Sequence, residues 1–147
     1  MAPPRKDKDG FKVCKTCGQE KPVANFHEIN KERYKQPVYR PHCKPCHLVN
    51  GRREYHTLRY RALVAYSGKV PKCACCGESE YGFLAIDHIN NDGADHRKTL
   101  NSKNIVHWLS RNKFPPGFQV LCHNCNTAKG IYGRCPHQGE VNYGPRD

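Results

Sequence analysis

The sequence predicts a small α+β fold in which two compact modules, joined by a helix, are each closed by a set of four cysteines. Three observations lead there. Ten cysteines occur among 147 residues, and eight of them form four C-x-x-C pairs. Only 37% of the chain is hydrophobic with those cysteines counted, too little for one large core. Short strand-like runs alternate with helical stretches, and the length suits one ordinary domain or two small ones.

Residues 1–11 read as a flexible basic tail. They contain no apolar targeting segment, and no run in the chain approaches the ~18 apolar residues of a membrane span. A reducing, intracellular setting is therefore expected, where thiols serve as metal ligands rather than disulfides.

Residues 12–50 form the first module. "CKTCG" at 14–18 and "CKPC" at 43–46 give C-x2-C-x25-C-x2-C, so Cys14, Cys17, Cys43 and Cys46 fit one tetrahedral zinc site. Glycine after the pair eases the tight turn that aims backbone N–H groups at the thiolates. Phe26 and Tyr39 are the expected core aromatics. Residues 51–68 are a basic connecting helix, the helical pattern running from about Pro45 to Tyr66. Tyr55, Leu58, Ala62, Ala65 and Tyr66 recur at three- and four-residue steps, and Ser67-Gly68 with Pro71 ends the pattern. Arg52, Arg53, Arg59 and Arg61 lie around this helix, where they either follow a DNA backbone or face solvent.

Residues 69–137 form the second module, and residues 138–147 a C-terminal tail. "CACCG" at 73–77 and "CHNC" at 122–125 give C-x2-C-x45-C-x2-C, a second site of Cys73, Cys76, Cys122 and Cys125. Redox-active C-x-x-C is the competing reading, but that motif sits on one βαβ unit and does not recur four times. Cys75 and Cys135 are left over and expected as small buried thiols. His47 and His137, beside ligand cysteines, could substitute as ligands. Between the pairs come a strand at about Phe83–Asp87 and a long loop from Asn90 to Leu100. A helix from about Ser102 to Asn112 turns Ile105, Trp108 and Leu109 inward until Pro115-Pro116 ends it. A strand at Phe118–Leu121 leads into "CHNC", and "NTAKG" reads as one or two helical turns closed by Gly130. Metal binding at the second site then draws Asp87-His88, on a strand, towards Asn126, on a helix, across 38 positions. That is a ββα-metal arrangement.

"IDHINNDG" followed by "LCHNCNTAKG" resembles the HNH (His-Me finger) endonucleases, most closely the phage recombination endonuclease VII type. The resemblance covers about residues 73–137, and "CKTCGQEKPVANF…CKPC" is similar to a zinc module found ahead of such domains. It implies a metal-dependent DNA endonuclease with Asp87 and Asn126 as ligands of the catalytic Mg2+ or Mn2+ and His88 as general base. In one respect the chain departs from the pattern. The middle Asn of the common motif falls at Gly117, so the group steadying the His88 loop lies elsewhere, with Asn90, Asn91 and Asn104 as candidates.

The chemistry stands on the residues as well. Phosphodiester hydrolysis needs a water proton acceptor, which a neutral imidazole provides near pH 7. It also needs positive charge at the phosphate, which a hard cation on carboxylate and amide oxygens provides. Release of the 3′ oxygen leaves 5′-phosphate and 3′-hydroxyl ends, after nicking or double-strand cleavage. Lys129 either touches phosphate or is an exposed helix lysine; His123 either contacts the backbone or faces solvent. His96 and Arg97, in the long loop, either contact substrate or face solvent. His27, His42, His56 and His107 read as structural or surface.

The charge agrees with a nucleic-acid partner: +12 in total, with 15 Lys/Arg against 6 Asp/Glu in residues 1–66 and 10 against 7 in residues 67–147. Double-stranded or branched DNA is the expected partner, no membrane is, and the expected location is the cytoplasm (a host cell's if the chain is phage-encoded). The other class that fits is a non-catalytic zinc-finger nucleic-acid-binding protein. It explains charge and thiols but leaves Asp87, His88 and Asn126 without a role.

Overall fold

The computed structural model describes residues 10–29, 37–100 and 104–140. The chain is a small α+β protein of two compact units, Met1–Glu54 and Tyr55–Asp147, divided inside a long helix rather than at its ends.

In the first unit, β1 (Phe11–Val13) pairs antiparallel with β2 (Glu20–Pro22). Then β3 (Phe26–Ile29) pairs antiparallel with β4 (Val38–Cys43). Phe11, expected in the tail, is the first residue of β1; the tail's residues 1–9 lie outside the described residues. The buried centre is Cys14, Phe26 and Cys43, with Tyr39 and Cys46 packed on it. So small a cluster cannot hold a module by apolar burial alone.

Helix α1 (Lys44–Ser67) starts directly after Cys43, with Pro45 in the first turn, where no intrahelical N–H is required. It closes where Gly68, at φ +91°, donates its N–H to the Val64 carbonyl. Within the second unit α1 buries Ala62 and Leu63, flanked by Tyr55, Leu58 and Tyr66. Ala65, expected on this face, is exposed. The core lies on the Arg59–Leu63 edge of the stripe, where the Arg59 guanidinium bonds the carbonyls of Tyr81 and Leu84.

The second unit is organised on β5 (Leu84–His88) and β6 (Phe118–Cys122), antiparallel, with Leu84 opposite Cys122 and Asp87 opposite Gln119. The stretch expected as a long loop contains α2 (Gly93–Thr99), whose His96 docks on Trp108 and Phe118. Helix α3 (Ile105–Arg111) buries Val106 and Leu109. The expected start of this helix at Ser102 lies outside the described residues. Helix α4 (His123–Tyr132) is longer than expected: it runs through Gly130 and ends at Gly133, in the left-handed conformation. An interior glycine costs a helix about 1 kcal/mol, which the packing of α4 overrides.

Candidate functional site

Both C-x-x-C-G segments fold alike. Cys14 N–H donates to Gln19 O (2.9 Å) and Gly18 N–H to Cys14 O (2.9 Å); Cys73 N–H donates to Glu78 O (2.7 Å) and Gly77 N–H to Cys73 O (3.0 Å). Gly18 and Gly77 sit at φ +70° and +81°, the conformation that such a loop needs and other residues resist. Each second cysteine pair stands where a strand hands over to a helix: Cys43 and Cys46 between β4 and α1, Cys122 and Cys125 between β6 and α4. The first-turn N–H groups then point at sulfur, as Cys125 N–H does at Cys122 Sγ (3.4 Å). Burial pushes the Cys14 thiol up, but N–H groups of Cys17, Cys43 and Thr16 outweigh it and bring it down to about 5. The same balance, with Cys76, Cys122 and Cys75, takes Cys73 to about 7. Donors aimed at sulfur favour the thiolate, the form that binds metal.

Cys14, Cys17, Cys43 and Cys46 form one group with all four Sγ atoms within 4.8 Å of one another; Cys73, Cys76, Cys122 and Cys125 form another. Both are geometrically able to hold a zinc ion. In the first unit Asn50 of α1 donates to Thr16 Oγ1 (3.1 Å), whose hydroxyl lies 2.7 Å from His42 Nδ1, tying the knuckle to the helix. His47 stacks edge-on against His27 and is not among the metal groups.

Strand β5 ends in Asp87 and His88. Asp87 is 8% exposed, and its Oδ2 accepts from Gln119 Nε2 (2.7 Å), directly across the sheet, and from Lys129 Nζ (2.8 Å) on α4. Among the described residues Oδ1 takes no hydrogen bond. Lys129 also donates to the His88 carbonyl (2.6 Å), so both bonds brace the strand end against α4. Asn126 lies three positions before Lys129, on the adjoining part of the same helix face. It is half-buried, and its amide makes no hydrogen bond to a described residue.

His88 is held through Nε2, which shares a proton with His96 Nδ1 at 2.7 Å, the two rings meeting edge-to-face. Phe118 lies under the ring, 4.6 Å between centroids. On the Nδ1 side stands Gly93, where a Cβ would fall 2.9 Å from that nitrogen. Burial lowers the His88 pKa from 6.5, His96 and Arg97 acting the same way and Asp92 and Asp87 opposing.

Several expected roles change. His96, expected to touch substrate or face solvent, holds His88. Neither Asn90 nor Asn91 steadies the His88 loop through a side-chain hydrogen bond to a described residue. Asn104 accepts from Val106 N–H and caps α3, and Asn90 makes no side-chain bond to a described residue. Asn91 contributes its backbone, its N–H on the His88 carbonyl. Gly117 nevertheless serves, because its carbonyl accepts Ile89 N–H at 3.0 Å. Lys129 is tied to Asp87 rather than exposed or turned to phosphate. Arg59 is structural, its guanidinium 4.2 Å from the Tyr81 ring centroid. Arg52, Arg53, Arg61, Arg97 and His123 are exposed. Cys75, Cys135 and His137 form a third group, with Cys125 as its fourth member. The compact spellings "CACC" and "CPH" carried that signal: thiols and an imidazole spaced too closely for the C-x-x-C frame.

No helix among the described residues is long and apolar enough to cross a membrane. No family model, curated protein or solved structure matches the chain.

Proposed function

We propose that this chain is a zinc-stabilised, metal-dependent DNA endonuclease of the HNH type, hydrolysing phosphodiester bonds to 5′-phosphate and 3′-hydroxyl ends. The observation that carries the reading is the His88 imidazole, fixed at Nε2 by His96 and without a hydrogen bond at Nδ1 among the described residues, next to a buried Asp87 on a strand braced by α4. The ββα-metal layout is supported by β5, β6 and α4, with each cysteine tetrad holding a structural zinc.

The residues fit a hard divalent cation. Asp87 Oδ1 and the Asn126 amide are oxygen donors with no other bond among the described residues, and two protein oxygens suit Mg2+ or Mn2+, which retain several waters. Bound there, the cation would supply positive charge to the phosphate oxygens. The rest is the work of side chains. For His88 to act as base its Nε2–H must donate to His96 Nδ1, leaving the lone pair at Nδ1 to take a proton from water. Gln119 and Lys129 keep Asp87 oriented. Exposed Arg52, Arg61 and Arg97 are available to DNA phosphates.

His88→Ala should lower nicking of supercoiled plasmid in Mg2+ or Mn2+ by on the order of 10²–10⁴-fold, while zinc content and DNA binding persist. Undiminished nicking would remove His88 from the role of base. One observation favours a second reading: the Lys129 ammonium already pairs with Asp87, as it would in a non-catalytic zinc-finger DNA-binding protein. Wild-type protein that retards DNA but leaves it uncut across a divalent-metal series would decide for that reading.

A further inference from the structure

Cys125 belongs to two groups of potential ligands. On one side are Cys73, Cys76 and Cys122; on the other are Cys75, Cys135 and His137, and within each group all ligand atoms lie within 4.8 Å of one another. His137 Nδ1 stands 3.4 Å from Cys135 Sγ, 3.5 Å from Cys125 Sγ and 3.9 Å from Cys75 Sγ. A tetrahedral zinc with Zn–S of about 2.3 Å and Zn–N of about 2.0–2.1 Å sets sulfur and nitrogen ligands about 3.5 Å apart and two sulfurs about 3.8 Å apart. The His137 distances fall around the first value. The second is met in the neighbouring tetrad, where Cys76 and Cys122 Sγ are 3.7 Å apart.

The convergence is built by the backbone. Ala74 N–H donates to Val120 O (2.8 Å), and Cys75 N–H points at Cys73 Sγ (3.4 Å), which sets Cys75 against the end of β6. After α4, the left-handed Gly133 turns the chain back. A 3-10 turn at Pro136–Gln138, closed by Gln138 N–H on Cys135 O (2.9 Å), then presents Cys135 and His137 together. Cys125 is fully buried and Cys135 nearly so. Small packed thiols alone would explain Cys75, which is half-buried, and Cys135, which is buried. They do not explain why the ring nitrogen of an otherwise exposed histidine meets three sulfurs at once.

We propose that the Cys125 thiolate bridges two zinc ions. One is held by Cys73, Cys76, Cys122 and Cys125, the other by Cys75, Cys125, Cys135 and His137 Nδ1, so that the full chain binds three zinc ions rather than two. Seven ligands serve two tetrahedral ions because one sulfur is shared. Each of the six thiols gives up its proton on binding, and the cluster carries two net negative charges, no more than a single four-cysteine site. Its mechanical effect is a second staple, which fixes the chain beyond α4 to the knuckle ahead of β5 and so holds both ends of the ββα element. The proposal concerns metal content alone and stands whether or not the chain cuts DNA.

Full-length protein, loaded with zinc and desalted, is measured by inductively coupled plasma mass spectrometry against amino-acid analysis. Three zinc ions per chain are expected; two or fewer overturn the proposal. In the cadmium-substituted protein, NMR should give three metal resonances, two of them mutually split through the shared sulfur. Three unsplit resonances would overturn the bridge. Cys135→Ser and His137→Ala should each lower the count to two, and an unchanged count in either would overturn that residue as ligand. If a variant fails to fold, the wild-type count and cadmium splitting still decide.

Discussion

His88 and Gly93 show how narrowly the proposed chemistry depends on single side chains. Gly93 opens α2 with no positive φ, so alanine is acceptable to its backbone; the obstacle is the 2.9 Å approach of a Cβ to His88 Nδ1. Gly93→Ala is expected to lower cleavage about tenfold or more by displacing the ring, with the melting temperature unchanged or raised, because alanine is the better helix former. A loss of stability matching the loss of cleavage would show that the ring had no room to yield. The protonation of His88 gives a second prediction at this scale. Its folded pKa lies below 6.5, chiefly through burial, so the neutral base survives further into acid than a free imidazole. The rise of nicking with pH should have its midpoint below 6.5. Asp92→Asn should move it lower still, because the Asp92 carboxylate, like that of Asp87, favours the charged ring, whereas His96 and Arg97 oppose it. The shift also links to stability. The unfolded chain takes this proton first, so as pH falls from 6.5 through the folded value the His88 contribution destabilises the native state.

At the level of elements, register and hinge decide what the site residues can do. The β5–β6 pairing sets Asp87 opposite Gln119, which is why an amide from the neighbouring strand reaches the carboxylate. A slip of one residue would turn Asp87 to the other face of the sheet. The register is held at one end by Leu84 opposite Cys122 and at the other by Gly117, whose carbonyl takes the Ile89 N–H from a backbone at φ +102°. That conformation is expensive for any residue with a Cβ. Gly117→Ala should destabilise the second unit by about 1–2 kcal/mol in urea titration, although no atom lies within 4 Å of the added methyl. A neutral result would mean that the loop can relax without losing the Ile89 bond. Helix α4 is the other decisive element. It starts on a metal-group cysteine and carries Asn126 and Lys129, so anything that seats Cys122 and Cys125 also sets the helix against β5.

Taken as a whole, the protein has little apolar substance. Among the described residues six of the fourteen buried hydrophobic residues are cysteines, and in the first unit Phe26 is the one buried side chain that is not. The proposed zinc ions, rather than area burial, would therefore supply much of the folding free energy, on the order of 10 kcal/mol each. A strong zinc chelator should abolish most helical circular dichroism, and restored zinc should return it; a helical signal that survives complete metal loss would contradict this account. Cys14→Ser should unfold the first unit while the amides of β5 and β6 keep their hydrogen-exchange protection.

The local pattern of residues determined much by itself. Cysteine spacing identified both tetrads, glycine after the first pair signalled the tight loop, and the apolar run before Asp87-His88 marked a strand end. These are short-range properties, set by chain geometry over a few residues. What the tertiary structure decided was partnership. His96 became the holder of His88, Lys129 and Gln119 the partners of Asp87, Gly117 a backbone support, and Arg59 a clamp on Tyr81 and Leu84. Cys75, Cys135 and His137 met Cys125 only once α4 had turned the chain back on the knuckle. A side chain's hydrogen-bond partner depends on which distant segments share its few ångströms of space, and spacing along the chain does not encode that distance.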